Sequence, residues 1–344
     1  MSIEQFDPKT DEQRLRACHE MVVSGQLEDD PNAPAPSYGM FRGWWAYGFS
    51  GEPREVWLAS AADGEPLGCY LLELPDRENK TVGFVYLQVS PAHRRHGVGT
   101  ALLAHATAQA EQSGRTMLQA DIRTGSPGDR FAVAVGARPG LAAARRVLDV
   151  GSGLVARLAR LRADAEAHAD GYALRYFIGP VPDDLVAQNC ALEKAMADAP
   201  HESWFEPPEF DADRIRRNEV RLLAQGVRRY SIAAMHAATS EMAALTQLLV
   251  DPATDGWGFQ EITAVTRPHR GHRLGMLVKI AMLQQIAELE PQVRQIMTFN
   301  ALDNEHMIAV NNELGHRVSD VFQGYELDVA AAPTLTSLSV STAG

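Results

Sequence analysis

The chain is poor in cysteine, in long apolar runs and in basic charge, and each shortage closes off a class of protein. Cysteine occurs three times, at Cys18, Cys69 and Cys190, with no CxxC spacing. An odd number so placed indicates neither a disulfide framework nor a zinc site, and each thiol reads as a small buried hydrophobe. No stretch approaches the roughly 18 apolar residues of a membrane helix. The opening MSIEQFDPKT has no signal-peptide character, so the expectation is a cytoplasmic protein with no membrane partner. Lys and Arg number 32 against 44 Asp and Glu, a net charge of -12, which speaks against nucleic acid as a partner and favours cationic ligands. His236, His306 and His316 lack the spacing of metal ligands, and no metal is expected.

What remains is ordinary for a globular protein: 45% apolar and 22% charged residues, in 344 positions that suffice for two domains. The length is used twice. Val89 to Gly99 reads VSPAHRRHGVG and Val265 to Gly275 reads VTRPHRGHRLG. They superimpose without a gap, Val89 on Val265, His93 on His269, Arg94 on Arg270, His96 on His272 and Gly99 on Gly275. The register extends upstream, where a turn around Glu65 falls on one around Glu241, so the chain carries an internal duplication.

In each copy an apolar strand runs through a basic, glycine-containing turn directly into a helix. Such a turn leaves backbone N–H groups pointing one way at a helix N-terminus, which is a cradle for phosphate or pyrophosphate. Gly97, Gly99, Gly271 and Gly275 allow close approach and the arginines add charge-assisted contacts.

Around these turns the periodicity predicts two similar α/β halves. Helices are expected from Thr10 or Asp11 to about Val23, over the aromatic stretch Tyr38 to Phe49, and over Gly97 to Gln112, Arg130 to Val135 and 153 to 168. In the second half they are expected from Pro182 or Asp183 to Met196, Ala212 to Ala224, Arg273 to Glu288 and Asn304 to Leu314. Strands are expected at 2 to 7, Glu55 to Ala61, Leu67 to Leu74, Val82 to Val89, Met117 to Ile122 and Tyr172 to Ile178. A second set follows at Tyr230 to His236, Ala243 to Val250, Gly258 to Thr266, Val293 to Phe299 and Asp320 to Val329. Gly179-Pro180 marks the expected junction, giving domains 1–178 and 179–330 and a disordered tail 331–344.

Both turns resemble motif A of the GCN5-related N-acetyltransferase (GNAT) superfamily: Arg or Gln, two residues, Gly, one residue, then Gly or Ala. Arg94, Gly97 and Gly99 meet it in full; Arg270 and Gly275 meet it with Arg273 in place of the middle glycine. The element order is similar to that fold over nearly the whole chain, which implies an α/β protein with a mixed (α+β-type) sheet in two tandem GNAT-like domains. Tandem members such as mycothiol synthase are similar in architecture.

The resemblance implies acetyl-CoA as cofactor, at one domain or both. Its pyrophosphate and pantetheine would meet Gln88, Val89, Arg94, Arg95, His96, Gly97, Val98, Gly99 and Thr100 in the first copy. In the second they would meet Thr263, Ala264, Val265, Arg270, Gly271, His272, Arg273, Leu274, Gly275 and Met276, with Asn300, Asn304 and Asn311 offering amides. The strands flanking each cradle helix are expected to splay, Leu87 to Ser90 from Leu118 to Ile122 and Thr263 to Thr266 from Ile296 to Asn300.

The implied reaction is attack of a small-molecule amine on the thioester in a ternary complex, with a carboxylate as base. Glu261 is the candidate, on a strand where Phe259, Thr263 and Val265 are expected to share its direction. Val85 holds the matching place in the first copy, which makes the second domain the catalytic one and the first non-catalytic. The tyrosine that family members often use as an acid has no counterpart: Asn311 and Ala132 stand there. That gap keeps a second class open, a non-catalytic acyl-CoA-binding or sensing protein. The acceptor pocket is expected from variable segments such as Tyr38 to Phe49 and Ala199 to Asp211.

Overall fold

The computed structural model describes residues 1–48, 51–195 and 200–332. In chain order the elements are β1 (Ser2–Phe6), α1 (Glu12–Asp29), α2 (Tyr38–Tyr47), β2 (Arg54–Ser60), β3 (Pro66–Glu73), β4 (Val82–Val89), α3 (Val98–Gln112), β5 (Met117–Arg123), α4 (Pro127–Ala134) and β6 (Arg138–Asp149). Then come α5 (Ser152–His168), β7 (Tyr172–Ile178), α6 (Val186–Ala195), α7 (Ala212–Gln225), β8 (Arg228–His236), β9 (Met242–Val250), β10 (Trp257–Val265), α8 (Leu274–Leu289), β11 (Gln295–Ala301), α9 (Glu305–Leu314) and β12 (Arg317–Asp328).

These elements form two compact units that do not follow the order of the chain. The first holds Met1–Leu141 and the chain from Phe322 onward; the second holds Ala142–Val321. In the first, β1 to β4 pair successively antiparallel, β4 pairs β5 parallel, and the second part of β12 lies antiparallel on β5 from Phe322↔Arg123 to Asp328↔Met117. In the second, β7, β8, β9 and β10 pair antiparallel, β10 pairs β11 parallel, and β11 is met antiparallel by residues 143–149 of β6. Each sheet is therefore completed by a strand from the other half of the sequence.

A boundary at Gly179-Pro180 does not match this grouping, because residues 142–178 pack with the second unit. The strand that causes the difference, β6, was not expected. Its sequence RPGLAAARRVLD lacks period-two alternation, and its paired arginines look solvated. Both are buried: Arg145 reaches the Asp320 carboxylate and Arg146 donates to Asn312 at 3.0 Å.

Each sheet is packed on both faces. In the first unit α3 covers one face and α1 with α2 the other, where Phe41 and Trp45 stack at 4.4 Å, so the aromatic stretch is a core helix. In the second unit α6 and α7 cover one face and α8 the other. Leu154, Leu158, Leu161 and Ala165 of α5 pack over α8, so α8 is buried from Leu274 to Leu283 with no polar stripe. Helix α1 runs six residues beyond its expected end near Val23, to Asp29. Of the expected features, Phe49, Met196, Ala199 and the tail from 333 lie outside the described residues.

Candidate active site

The two cradles have the same backbone. Each begins with a 3-10 turn, Pro91–His93 or Arg267–His269, followed by an extended arginine, Arg94 at φ -66 ψ 154 and Arg270 at φ -69 ψ 157. Two left-handed residues follow, two positions apart. In the first copy they are Arg95 (φ 65) and Gly97 (φ 81); in the second, Gly271 (φ 88) and Arg273 (φ 50). The arginine and the glycine have exchanged places, so the missing motif glycine does not alter the path. Arg273 holds the left-handed position at a cost of about 1 kcal/mol, and is tied to Asp164 at 3.0 Å and Glu313 at 3.1 Å. The final glycine is a packing position. A Cβ on Gly99 would stand 3.5 Å from Val89, and one on Gly275 3.5 Å from Val265, ordinary contacts that explain why the motif accepts alanine.

A second shared detail pins the cradle to the sheet. His93 Nε2 lies 3.5 Å from Glu65, and His269 Nε2 lies 3.7 Å from Glu241. In the second copy the other ring nitrogen of His269 meets the Tyr172 hydroxyl at 2.8 Å. The turn carboxylates to which the register of the duplication extends therefore make the same contact twice.

Beyond the cradles the strands splay as expected. β4 pairs β5 only as far as Phe84↔Gln119, and β10 pairs β11 only as far as Phe259↔Met297. In the second unit the splay opens into a cavity of about 640 Å³. Its wall takes in Thr263 to Val265, Arg270, Gly271, Arg273 to Met276 and Asn304. Of the predicted residues on this side, His272, Asn300 and Asn311 stand off the wall. Asn311 is fully buried and donates to Asn300 at 2.6 Å, so the two amides hold α9 to β11. Asn304 caps α9, accepting from the Met307 N–H at 3.2 Å. Sequence reasoning missed the α9 face, His306, Ala309, Val310 and Glu313, and also Ala195 of α6. The helical spacing of the α9 set was legible, but nothing in it distinguished a cavity wall from an ordinary surface.

The first cleft is differently furnished. The C-terminal end of α1 contacts the cradle arginine, β4 and β5. Arg94 donates to Glu28 at 3.0 Å and to both oxygens of Asp29 at 2.9 Å. Arg123 of β5 donates to the Asp29 carbonyl and stands 4.0 Å from the Asp30 carboxylate. Gly25 lies against the side-chain amide of Gln88 of β4, which would have to shift to admit a Cβ there. The remaining predicted residues, Val89, Arg95, His96, Gly97, Val98, Gly99 and Thr100, keep their places along the cradle, but its arginine already serves carboxylates of its own chain.

Glu261 requires a correction. Gln260 pairs with Leu248 and Thr263 with Thr246, so β10 carries one extra residue at Glu261 and Ile262, a β-bulge. The alternation slips there. Thr263 meets Thr246 at 2.8 Å and Val265 packs on the α8 side, whereas Ile262 packs among α6 and α7, and Glu261 stands 3.6 Å from Arg221 of α7. Glu261 thus faces away from Thr263 and Val265, toward the α6–α7 side.

Comparison with known proteins agrees with this geometry. Residues 19–129 match the model of the Acetyltransferase (GNAT) family. The chain is similar to a tandem GNAT protein from the clavulanic acid biosynthesis pathway, solved without AcCoA, with 28% identity, a TM-score of 0.80, and 97% of this chain and 99% of that one covered. It shares its fold with a GCN5-related N-acetyltransferase from Sphaerobacter thermophilus, at 16% identity, a TM-score of 0.63, and 97% and 96% covered. It also shares it with the glucosamine N-acetyltransferase region of a fungal multi-domain GH3 beta-N-acetylglucosaminidase, at 13% identity, a TM-score of 0.61, and 95% and 38% covered. No curated protein matches the chain.

Proposed function

The chain is a tandem member of the GNAT family and an acyltransferase, and from that premise we propose that its second unit transfers an acetyl group from acetyl-CoA to the amine of a small molecule. The observation that carries this reading is the contrast between the two cradles. One opens on a cavity of about 640 Å³, within the usual range for cofactor sites of about 300–1,000 Å³; the other has its arginine held by Glu28 and Asp29.

The residues of the second site suit that cofactor. Gly271 and Arg273, both left-handed and both in the cavity wall, form the kind of turn whose N–H groups suit a pyrophosphate, and Arg270 adds charge for it. The unpaired edge of β10 beyond the bulge offers main-chain groups to the amides of a pantetheine arm and to the thioester carbonyl. Acetyl-CoA supplies the activated acyl group; the chain's work is to hold both reactants together and to manage protons. Glu261, fixed by Arg221, is the catalytic carboxylate on the acceptor side. With Asn311 buried, no side-chain acid stands where the family often places a tyrosine, so the leaving thiolate takes its proton from water.

The test is calorimetry with CoA together with thiol release from acetyl-CoA over a panel of primary amines. Arg270→Ala should raise the KM for acetyl-CoA by about 10- to 100-fold and leave kcat nearly unchanged, because a distant phosphate contact supplies uniform binding. Binding without turnover of any amine would instead support the sensing role.

A further inference from the structure

The second cradle is joined to a group of rings that the first lacks. Tyr172 of β7 touches His236 of β8 with ring centroids 5.3 Å apart, and touches His269 and His272 of the cradle turn at 5.6 and 5.4 Å. His236 and His269 also meet, at 5.4 Å. Tyr172 and His236 are cross-strand partners; on the offset that carries Glu65 onto Glu241, the corresponding partners in the first sheet are Ser2 and Ser60. The ring group therefore belongs to the copy that opens on the cavity, and His269 is part of the cavity wall.

Hydrogen bonds string the rings together. Thr239 donates to Glu241 at 2.9 Å, which leaves its oxygen to accept from His236 Nδ1 at 2.9 Å. His269 turns Nε2 toward Glu241 at 3.7 Å and Nδ1 toward the Tyr172 hydroxyl at 2.8 Å. A hydroxyl is both donor and acceptor, so Tyr172 can donate to a neutral imidazole and accept from an imidazolium. Both nitrogens of His269 can thus carry hydrogen and keep a polar group opposite. In the first copy His93 faces Glu65 in the same way, but its Nδ1 is buried without a partner, and an N–H there would be unsatisfied.

On the chain alone, charge opposes a second proton on His269. Arg270 and Arg273 share the cavity wall with it, Arg267 opens the same turn, and His236 and His272 lie within ring contact of it or of Tyr172. Arg273 is paired with Asp164 of α5 and Glu313 of α9, and His272 Nδ1 donates to the His168 carbonyl at 3.3 Å. Strand β9 and the first turn of α8 bring no titratable side chain. Glu241 is the carboxylate that His269 faces, and it is 64% exposed, so water screens it. A pyrophosphate in the cavity reverses this balance, since a nearby anion favours the imidazolium. Histidine is the side chain whose charge can answer such a change near neutral pH.

We propose that His269 takes up a proton as the pyrophosphate of the cofactor enters the second cradle, with Tyr172 and Glu241 facing its two N–H groups. This rests on the reading of the second unit as a CoA site, and not on turnover. In the step a proton leaves a solvent acid, an N–H bond forms at Nδ1, and the Tyr172 hydroxyl turns from donor to acceptor. No bond of the cofactor changes. Because binding consumes a proton, cofactor affinity rises as pH falls.

The experiment is titration calorimetry of the full chain with 3′-dephospho-CoA, which lacks the phosphate monoester that itself titrates near neutral pH. In buffers of different ionisation enthalpy near pH 7, the observed heat should vary as expected for uptake of about half a proton. Affinity should then strengthen about 3-fold for each unit fall in pH. His269→Gln should bind with no dependence on the buffer, and Tyr172→Phe should bind with most of the uptake lost. A wild-type heat that is the same in every buffer, or an uptake of equal size in His269→Gln, overturns the proposal; the first of these needs no variant to fold. Absence of binding defeats the cofactor reading and this inference together, whereas binding without proton uptake defeats this inference alone.

Discussion

At the scale of single residues, each cradle is set by the two left-handed positions of its turn, Arg95 with Gly97 and Gly271 with Arg273. Arg94, Arg270 and the four glycines announced both cradles, because only a few residue types meet the backbone demands of such a turn. Glu261 was visible as a carboxylate among apolar neighbours, but the bulge that turns it toward Arg221 leaves no mark in the sequence. Lys279 was passed over entirely. It sits fully buried in α8, where desolvation pulls its amine down to about 7, and it helps to depress His316 to about 3. The sign of the consequence follows from linkage. Between about pH 7 and the ordinary lysine value of 10.5 the unfolded chain binds the proton and the folded chain does not, so stability rises with pH across that window and the penalty is full below it. Lys279→Met should remove this penalty, stabilising the protein near pH 7 by roughly 2–4 kcal/mol. Urea midpoints measured near neutral and near alkaline pH should converge in the variant and differ in the wild type.

At the scale of elements, periodicity located nearly all helices and strands and failed where tertiary contacts overrode it. The helical pattern of α1 fades after Val23 at Ser24 and Gly25, both weak helix formers. The helix continues because Arg94 and Arg123 draw its last residues, Glu28 to Asp30, across the first cleft. That extension separates the two duplicated sites more sharply than their motifs do: the family model matches the half whose motif is intact, and that is the half whose arginine is tied to the end of α1. The wild-type chain is therefore expected to bind one CoA. Glu28→Gln combined with Asp29→Asn frees Arg94, and calorimetry should then register a second, weaker binding event. A stoichiometry of one in both proteins would mean that α1 closes the cleft by its bulk rather than its charge.

At the scale of the molecule, the duplication was plain from the offset between the two motifs, but the partition of the chain was not. Sequence similarity marks where a copy begins and ends; it carries no information about which copy of an edge strand completes which sheet. Here Phe322–Asp328 completes the first sheet and Ala143–Asp149 the second. Removal of the chain from Phe322 onward should therefore damage the first unit, far away in sequence. In hydrogen exchange, protection of β5 should fall while that of β8 and β9 is largely kept. The same arrangement orders events during synthesis. On the ribosome the first unit emerges almost complete and then waits, with one edge of β5 exposed, until Phe322 to Asp328 has been translated. Stops or slow codons ahead of Phe322, and insertions that displace Phe322 to Asp328, should all register first as misfolding of the N-terminal half.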